Sequence, residues 1–168
     1  TPSFADVIGV FDTAANEGKG EFSTISLEDK VSEEENLFCG AVAIQNKVYF
    51  IPCTAGVLGV LDTAAKAGES RFSTIEMDAD MEVDIDGAAV VGNKIVFVPR
   101  FADVVLVFDT SANEGVGAFS TVSMNVTLDY VTVQCDDRFV GATVVGSKVY
   151  FVPFDAEVVG VFDTAANG

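Results

Sequence analysis

The fold is decided by Lys148-Val149-Tyr150-Phe151-Val152-Pro153 and, after a short loop, Val158-Val159-Gly160-Val161-Phe162-Asp163-Thr164-Ala165-Ala166-Asn167. Both apolar runs have strand length, and each ends at a residue that halts a strand, Pro153 or Asp163. Strict alternation would leave one face wet. These runs are apolar at nearly every position, which predicts strands buried on both faces, as when sheets pack against sheets.

Working outward, the same stretch recurs. Phe162-Asp163-Thr164 is matched by Phe11-Asp12-Thr13, Leu61-Asp62-Thr63 and Phe108-Asp109-Thr110, at spacings of 50, 47 and 54. One proline accompanies each copy, at Pro2, Pro52, Pro99 and Pro153, and Phe-Ser-Thr follows at Phe22, Phe72 and Phe119. A period near 50 is that of sheet repeats. The unit therefore contains four strands. Ala88–Val91 and Lys94–Val98 flank a two-residue hairpin turn at Gly92-Asn93, with Gln45-Asn46 and Gly146-Ser147 in the same slot. A third strand covers Val104–Phe108 and a fourth begins at Phe119. The repeat organises residues 1–168 as a single β-repeat domain, with units at about 1–50, 51–97 and 98–151 and a partial unit at 152–168.

The motif Lys-Val-Tyr-Phe-Val-Pro…Val-Val-Gly-Val-Phe-Asp-Thr-Ala-Ala-Asn resembles the YVTN-type, kelch-like β-propeller repeat. It is similar in particular to a variant common among predicted microalgal proteins. The resemblance spans the chain and implies an all-β fold of four-stranded antiparallel blades, in an open or partial propeller. It says little about activity, because propellers host binding proteins and enzymes alike. Strands count as two, then four, four and three, fewer than the four full blades a propeller needs to close. Three explanations follow, of which the first is favoured: a piece of a longer polypeptide, completion by other copies, or compact non-propeller packing. The first residue is Thr1 rather than Met, and no signal peptide is present in the given chain.

With 26 acidic and 9 basic residues the formal net charge is -17. That charge repels phosphate backbones and anionic headgroups, which makes nucleic acid and membrane surfaces poor candidates as partners and predicts no nucleic-acid binding and no direct membrane insertion. No apolar run approaches the roughly 20 residues of a membrane-spanning helix. The acid concentrates in the connectors between units, predicting one negative interaction face. It would comprise Glu28, Asp29, Glu33, Glu34 and Glu35; then Asp78, Asp80, Glu82, Asp84 and Asp86; then Asp136 and Asp137, near Asp129. Along an extended strand, residues 78–86 place every carboxylate on one side and Met81, Val83 and Ile85 on the other. Glu82, Asp84 and Asp86 are the candidates for a metal site, since Glu82-x-Asp84-x-Asp86-Gly87 faintly resembles the start of a calcium loop. The twelfth position of that loop is Asn93 rather than the required Glu, so a solvated strand face ranks ahead. The recurring Asp12, Asp62, Asp109 and Asp163 read as turn-capping residues before they read as a ring of ligands. Lys47, Lys94 and Lys148 read as solvated. Cys39, Cys53 and Cys135 are too few and too scattered for a disulfide framework or a zinc site, and read as small hydrophobes, one bridge remaining open. Asn125-Val126-Thr127 is a glycosylation triplet, meaningful only in a secreted protein.

The chain has no histidine, the commonest general base and metal ligand, and no tryptophan for stacking sugars. It also lacks a nucleophile elbow, a P-loop and a dinucleotide fingerprint. No catalytic residue and no cofactor is therefore assigned. The leading expectation is a soluble, non-catalytic scaffold or linker that engages protein partners or copies of itself in a larger assembly. The microalgal resemblance implies a plastid complex or shell. The alternatives are a small-ligand or carbohydrate-binding propeller assisted by calcium and, ranked last, a carboxylate-dependent hydrolase.

Overall fold

Two-residue turns and strand-stopping residues cut the described residues into thirteen strands: β1 Val7–Asp12, β2 Glu21–Ser26, β3 Phe38–Ile44, β4 Lys47–Pro52, β5 Val57–Asp62, β6 Phe72–Glu76, β7 Ile85–Val91, β8 Lys94–Pro99, β9 Val104–Asp109, β10 Ala118–Ser123, β11 Phe139–Val145, β12 Lys148–Pro153 and β13 Gly160–Asp163. The structure is a computed structural model and describes residues 7–27, 38–53, 56–66, 71–77, 84–124 and 138–166. Strand pairing within every sheet is antiparallel. The sheets are β1-β2, β3-β4-β5-β6, β7-β8-β9-β10 and β11-β12-β13, hence two, four, four and three strands. Among the described residues these sheets form an open stack, with no closed barrel or propeller.

Each β3-β4-type hairpin turns on a residue with positive φ. Gly92 (φ 60°) and Gly146 (φ 62°) adopt it without a Cβ penalty, whereas Gln45 (φ 54°) does so with one. A four-residue helical turn, Ala15–Gly18 or Ala112–Gly115, links the last two strands of the first and third sheets, and its Asn16, Glu17, Asn113 and Glu114 take left-handed φ and ψ. The turn is held by Gly20 N–H to Ala15 O (3.0 Å) and Gly117 N–H to Ala112 O (2.9 Å). Asn16 and Asn113 side chains add Nδ2 bonds of 3.1 Å to the carbonyls of Gly20 and Gly117. At those two glycines a Cβ would sit 2.3 Å from the Phe11 ring and 2.1 Å from the Phe108 ring, so the tip of the repeat's phenyl lies against its own turn. In the sequence of the second unit these two positions are Leu61 and Ser70, the latter outside the described residues. Ring and glycine change together.

The stack is held by three apolar junctions. In each, the front face of one sheet meets the rear face of the next. Ile8 and Leu27 meet Phe38, Phe50, Leu61 and Phe72 at the first. Tyr49, Ile51, Leu58 and Val60 meet Ile95, Phe97, Leu106 and Phe108 at the second. Val96, Val98, Val105 and Val107 meet Phe139, Val149, Phe151 and Phe162 at the third. Burying a side chain of this size contributes roughly 1.5–3 kcal/mol, so the stacking is what holds these strands. The leading strands β3, β7 and β11 lie beside one another along one side of the stack. Each carries a register shift, at Phe38/Gly40, Ile85/Ala88 and Phe139/Ala142. A Cβ at Gly40 would lie 3.7 Å from the Gly87 Cα, the point of close approach between two sheets.

Inside each sheet a second size exchange operates. A Cβ on Gly59 would lie 3.0 Å from the ring tips of Phe38 and Phe72, and one on Gly160 would lie 2.9 Å from that of Phe139. In the third sheet the corresponding positions are Ile85 and Leu106. A large leading-strand residue is matched by glycine, and a smaller one by leucine.

The expectation of strands covered on both faces holds for β4, β5, β8 and β9, where most side chains are buried. It fails at the two ends of the stack. β13 carries exposed Val161, β12 exposed Val152, and β1 and β2 exposed Phe11 and Phe22, because no neighbouring sheet covers them among the described residues.

Candidate functional site

The recurring Asp-Thr pair sits where a third strand ends beside a hairpin turn. The aspartate Oδ1 accepts the backbone N–H two residues on: Ala14 to Asp12 (2.8 Å), Ala64 to Asp62 (2.8 Å), Ser111 to Asp109 (2.9 Å) and Ala165 to Asp163 (3.0 Å). The threonine then donates twice, through N–H and Oγ1, to the carbonyl of the hairpin's second turn residue. Thr63 reaches Asn46 at 2.8 and 2.7 Å, Thr110 reaches Asn93 at 2.9 and 2.9 Å, and Thr164 reaches Ser147 at 2.9 and 2.9 Å. Asn46 Nδ2 and Ser147 Oγ return a bond to Asp62 (3.1 Å) and Asp163 (2.8 Å). Asp-Thr is thus a clasp that ties the third strand to the turn between the first two. The four aspartates lie one to a sheet, each engaged by its own turn.

Lys148 is exposed, as the solvated reading has it, and is also ion-paired with Asp163. That ammonium, then the Ser147 hydroxyl and the Ala165 N–H, hold the Asp163 carboxyl down at about 2. Asp109 is also lowered, chiefly by the hydroxyl and N–H of Ser111. A depressed folded pKa means that the clasp's contribution is whole above the ordinary carboxylate range near 4 and fades as pH falls through about 2. In a carboxylate-detected NMR titration Asp163 should protonate well below the ordinary carboxylate range, at about 2. In a Lys148→Met variant its midpoint should rise, and an unmoved midpoint would show that the ammonium is not the cause.

Of the predicted acidic face, Glu28, Asp29, Glu33, Glu34, Glu35, Asp78, Asp80, Glu82, Asp136 and Asp137 lie outside the described residues, as do Asp129, Cys135 and the Asn125 triplet. Asp84 is exposed, Asp86 half-buried and Ile85 buried between them, the alternation expected of a strand edge. Among the described residues no group of three or more His, Cys, Asp or Glu is placed to hold a metal. No helix among them is long and apolar enough to cross a membrane.

Cys39 and Cys53 are free thiols. The hydrophobe reading suits the half-buried Cys39 and not Cys53, which is exposed. Burial, then the neighbouring Cys53 thiol, pushes Cys39 up to about 12, and its Sγ lies 3.5 Å from the Pro52 carbonyl. Since the thiolate is the nucleophile, iodoacetamide at pH 8 should label Cys53 and leave Cys39 unmodified in the native chain. Equal labelling, read by peptide mass, would contradict this placement.

The most distinctive surface lies at the ends of the stack, where the incomplete strand count read from the sequence leaves partial units. On the front of the last sheet Val145, Val152, Val159 and Val161 are all exposed, Val159 at 59% and Val161 at 54%. Their repeat counterparts in the second sheet, Ile44, Ile51, Leu58 and Val60, are all buried, Leu58 at 0% and Val60 at 6%. On the rear of the first sheet Phe22 is 67% exposed, against 4% for its counterpart Phe72. One signal was available in the sequence: the strand count that leaves partial units at both ends.

The third junction carries one further feature. Arg138, the only buried charged residue among those described, donates Nη1 bonds to Ala102 O (2.9 Å) and Asp103 Oδ1 (2.7 Å). Its backbone N–H reaches Arg100 O (2.8 Å) and its carbonyl accepts from Phe154 N–H (3.0 Å), so it fastens the last two sheets together. Beside it opens a groove of about 310 Å³, lined by Val105, Val122 and Met124 on one side and Phe139, Phe151 and Gly160 on the other. No protein-family model matches this chain, and neither a curated protein nor a solved structure matches it.

Proposed function

We propose that this chain is a non-catalytic interaction module, its sheets acting as propeller-type blades that continue their stacking onto other protein through the two bare end faces. The supporting observation is the contrast between equivalent positions, where side chains buried at every inner junction are uncovered at the ends. Exposed apolar patches of this kind mark association surfaces. The lack of histidine and the use of the repeated aspartates as turn caps favour a structural role over a catalytic one.

A front face takes a rear face at each junction within the chain. By the same rule the β11-β12-β13 front of one copy takes the β1-β2 rear of another, a head-to-tail contact that gives a ring where the rotation closes and an open filament where it does not. Few side chains are involved, so their burial only just offsets the cost of association, roughly 4–15 kcal/mol. Like charges also repel: a chain of net charge -17 keeps copies apart until salt screens it. Sedimentation velocity should therefore show a monomer when dilute at low salt, with larger species growing as protein and sodium chloride rise. A particle that stays monomeric throughout would overturn the self-association reading.

A further inference from the structure

We propose that Cys39 and Cys53 form a thiol–disulfide exchange site, which takes oxidising equivalents from a small uncharged disulfide and closes to an intrachain bridge. This goes beyond the reading of the chain as an interaction module and does not depend on it.

The β3-β4 hairpin places the two residues together. Its register pairs Phe38 with Pro52 and then Gly40 with Ile51, so Cys39 is the extra residue of a bulge. Cys53 directly follows Pro52. Cys39 Sγ lies 3.5 Å from the Pro52 carbonyl, which belongs to the peptide bond leading into Cys53, and the Cys53 thiol is its neighbour. The repeat indicates that the two positions are filled as a pair. Their counterparts are Asp86 and Arg100 in the third sheet, and Val140 and Phe154 in the last. Opposite charges occupy one pair, apolar side chains another, and two thiols this one. Such matching is the pattern of side chains that meet across a hairpin.

Their environments give the two thiols different parts. Cys53 is exposed, so it meets a dissolved disulfide first. Cys39 is half-buried, its Sγ also 3.8 Å from the Ile51 carbonyl and 3.6 Å from the Ile85 carbonyl of the next sheet. Burial there keeps it a thiol until its neighbour is activated. The Cys53 thiolate attacks one sulfur of the small disulfide, forming a mixed disulfide and expelling the other half as a thiolate. Cys39 then loses its proton to solvent, and its sulfur attacks Cys53 Sγ. The Cys39–Cys53 bond forms and the second small thiolate leaves. Two protein thiols are oxidised, one small disulfide is reduced, and the two protons end on the departing thiols. A chain of net charge -17 repels anionic disulfides, which favours an uncharged one.

The test uses the full chain carrying Cys135→Ser, which keeps only this pair, with hydroxyethyl disulfide at pH 8 in the absence of oxygen. Intact mass should fall by two hydrogen atoms, and peptide mass should show Cys39 joined to Cys53. Adding Cys53→Ser should leave the chain unmodified. Adding Cys39→Ser should stop it at the mixed disulfide, heavier by one hydroxyethylthio group. Should a serine variant fail to fold, the joined peptides of the parent chain still decide. Closure of the acid-trapped mixed disulfide should speed up roughly tenfold for each unit of pH, because only the Cys39 thiolate attacks. The proposal is overturned by a mixed disulfide that accumulates on the parent chain without closing, or by closure indifferent to pH. Joined peptides that form only in urea, or no modification at all, overturn it equally.

Discussion

Leucine at Gly59 should destabilise the chain by about 3 kcal/mol, and adding Phe38→Ile should restore most of that loss. Three phenylalanines, Phe38, Phe50 and Phe72, already crowd the space a side chain would enter at Gly59. None of them can yield without disturbing the first junction, where all three are buried. The third sheet displays the solution, because Ile85 and Leu106 occupy the same two positions there while Phe97 and Phe119 are kept. Phe38→Ile alone leaves a cavity and should cost about 1–2 kcal/mol. The double variant should thus be more stable than Gly59→Leu by about 2 kcal/mol, a coupling that urea denaturation of all four chains measures directly. If the two losses simply add, the match between leading and third strands is not a packing constraint.

This exchange also explains why so much of the fold is legible in the residues. Strand identity, the turns at 45–46, 92–93 and 146–147, and the count of two, four, four and three follow from local signals repeated several times over. Strand ends are read less well: β7 begins at Ile85 rather than Ala88, because the register shift at Gly87 lets the strand continue below it. Asp-Thr is visible as a motif. Its two bonds to a hairpin some seventeen residues earlier are not, since they depend on the antiparallel pairing of three strands. Lys148 looks like any lysine after a turn until register sets it opposite Asp163.

The end faces are the harder case. Val60, Val107 and Val161 occupy one position of the repeat, yet Val60 and Val107 are buried while Val161 is exposed. What separates them is whether another sheet covers that face among the described residues, a property of the stack rather than of any strand. Burial on both faces is therefore a statement about the repeat, and exposure is a statement about where in the stack a copy of it stands.

That difference can be measured with one substitution made twice. Val107→Lys introduces an ammonium where Val107 is 5% exposed, packed at the third junction between apolar side chains. With no carboxylate built to meet it, the loss should be about 3–5 kcal/mol, enough to unfold a marginal domain. Val161→Lys alters the same position of the repeat at a site 54% exposed. Its ammonium stays in water, so stability of the dilute monomer should change by only about 0.5 kcal/mol. Association through the front of the last sheet should be abolished, since docking would now have to bury that charge. Equal losses of stability from the two substitutions would mean that the last front face is covered within the chain itself, and an undiminished association of the Val161→Lys variant would remove that face from the contact.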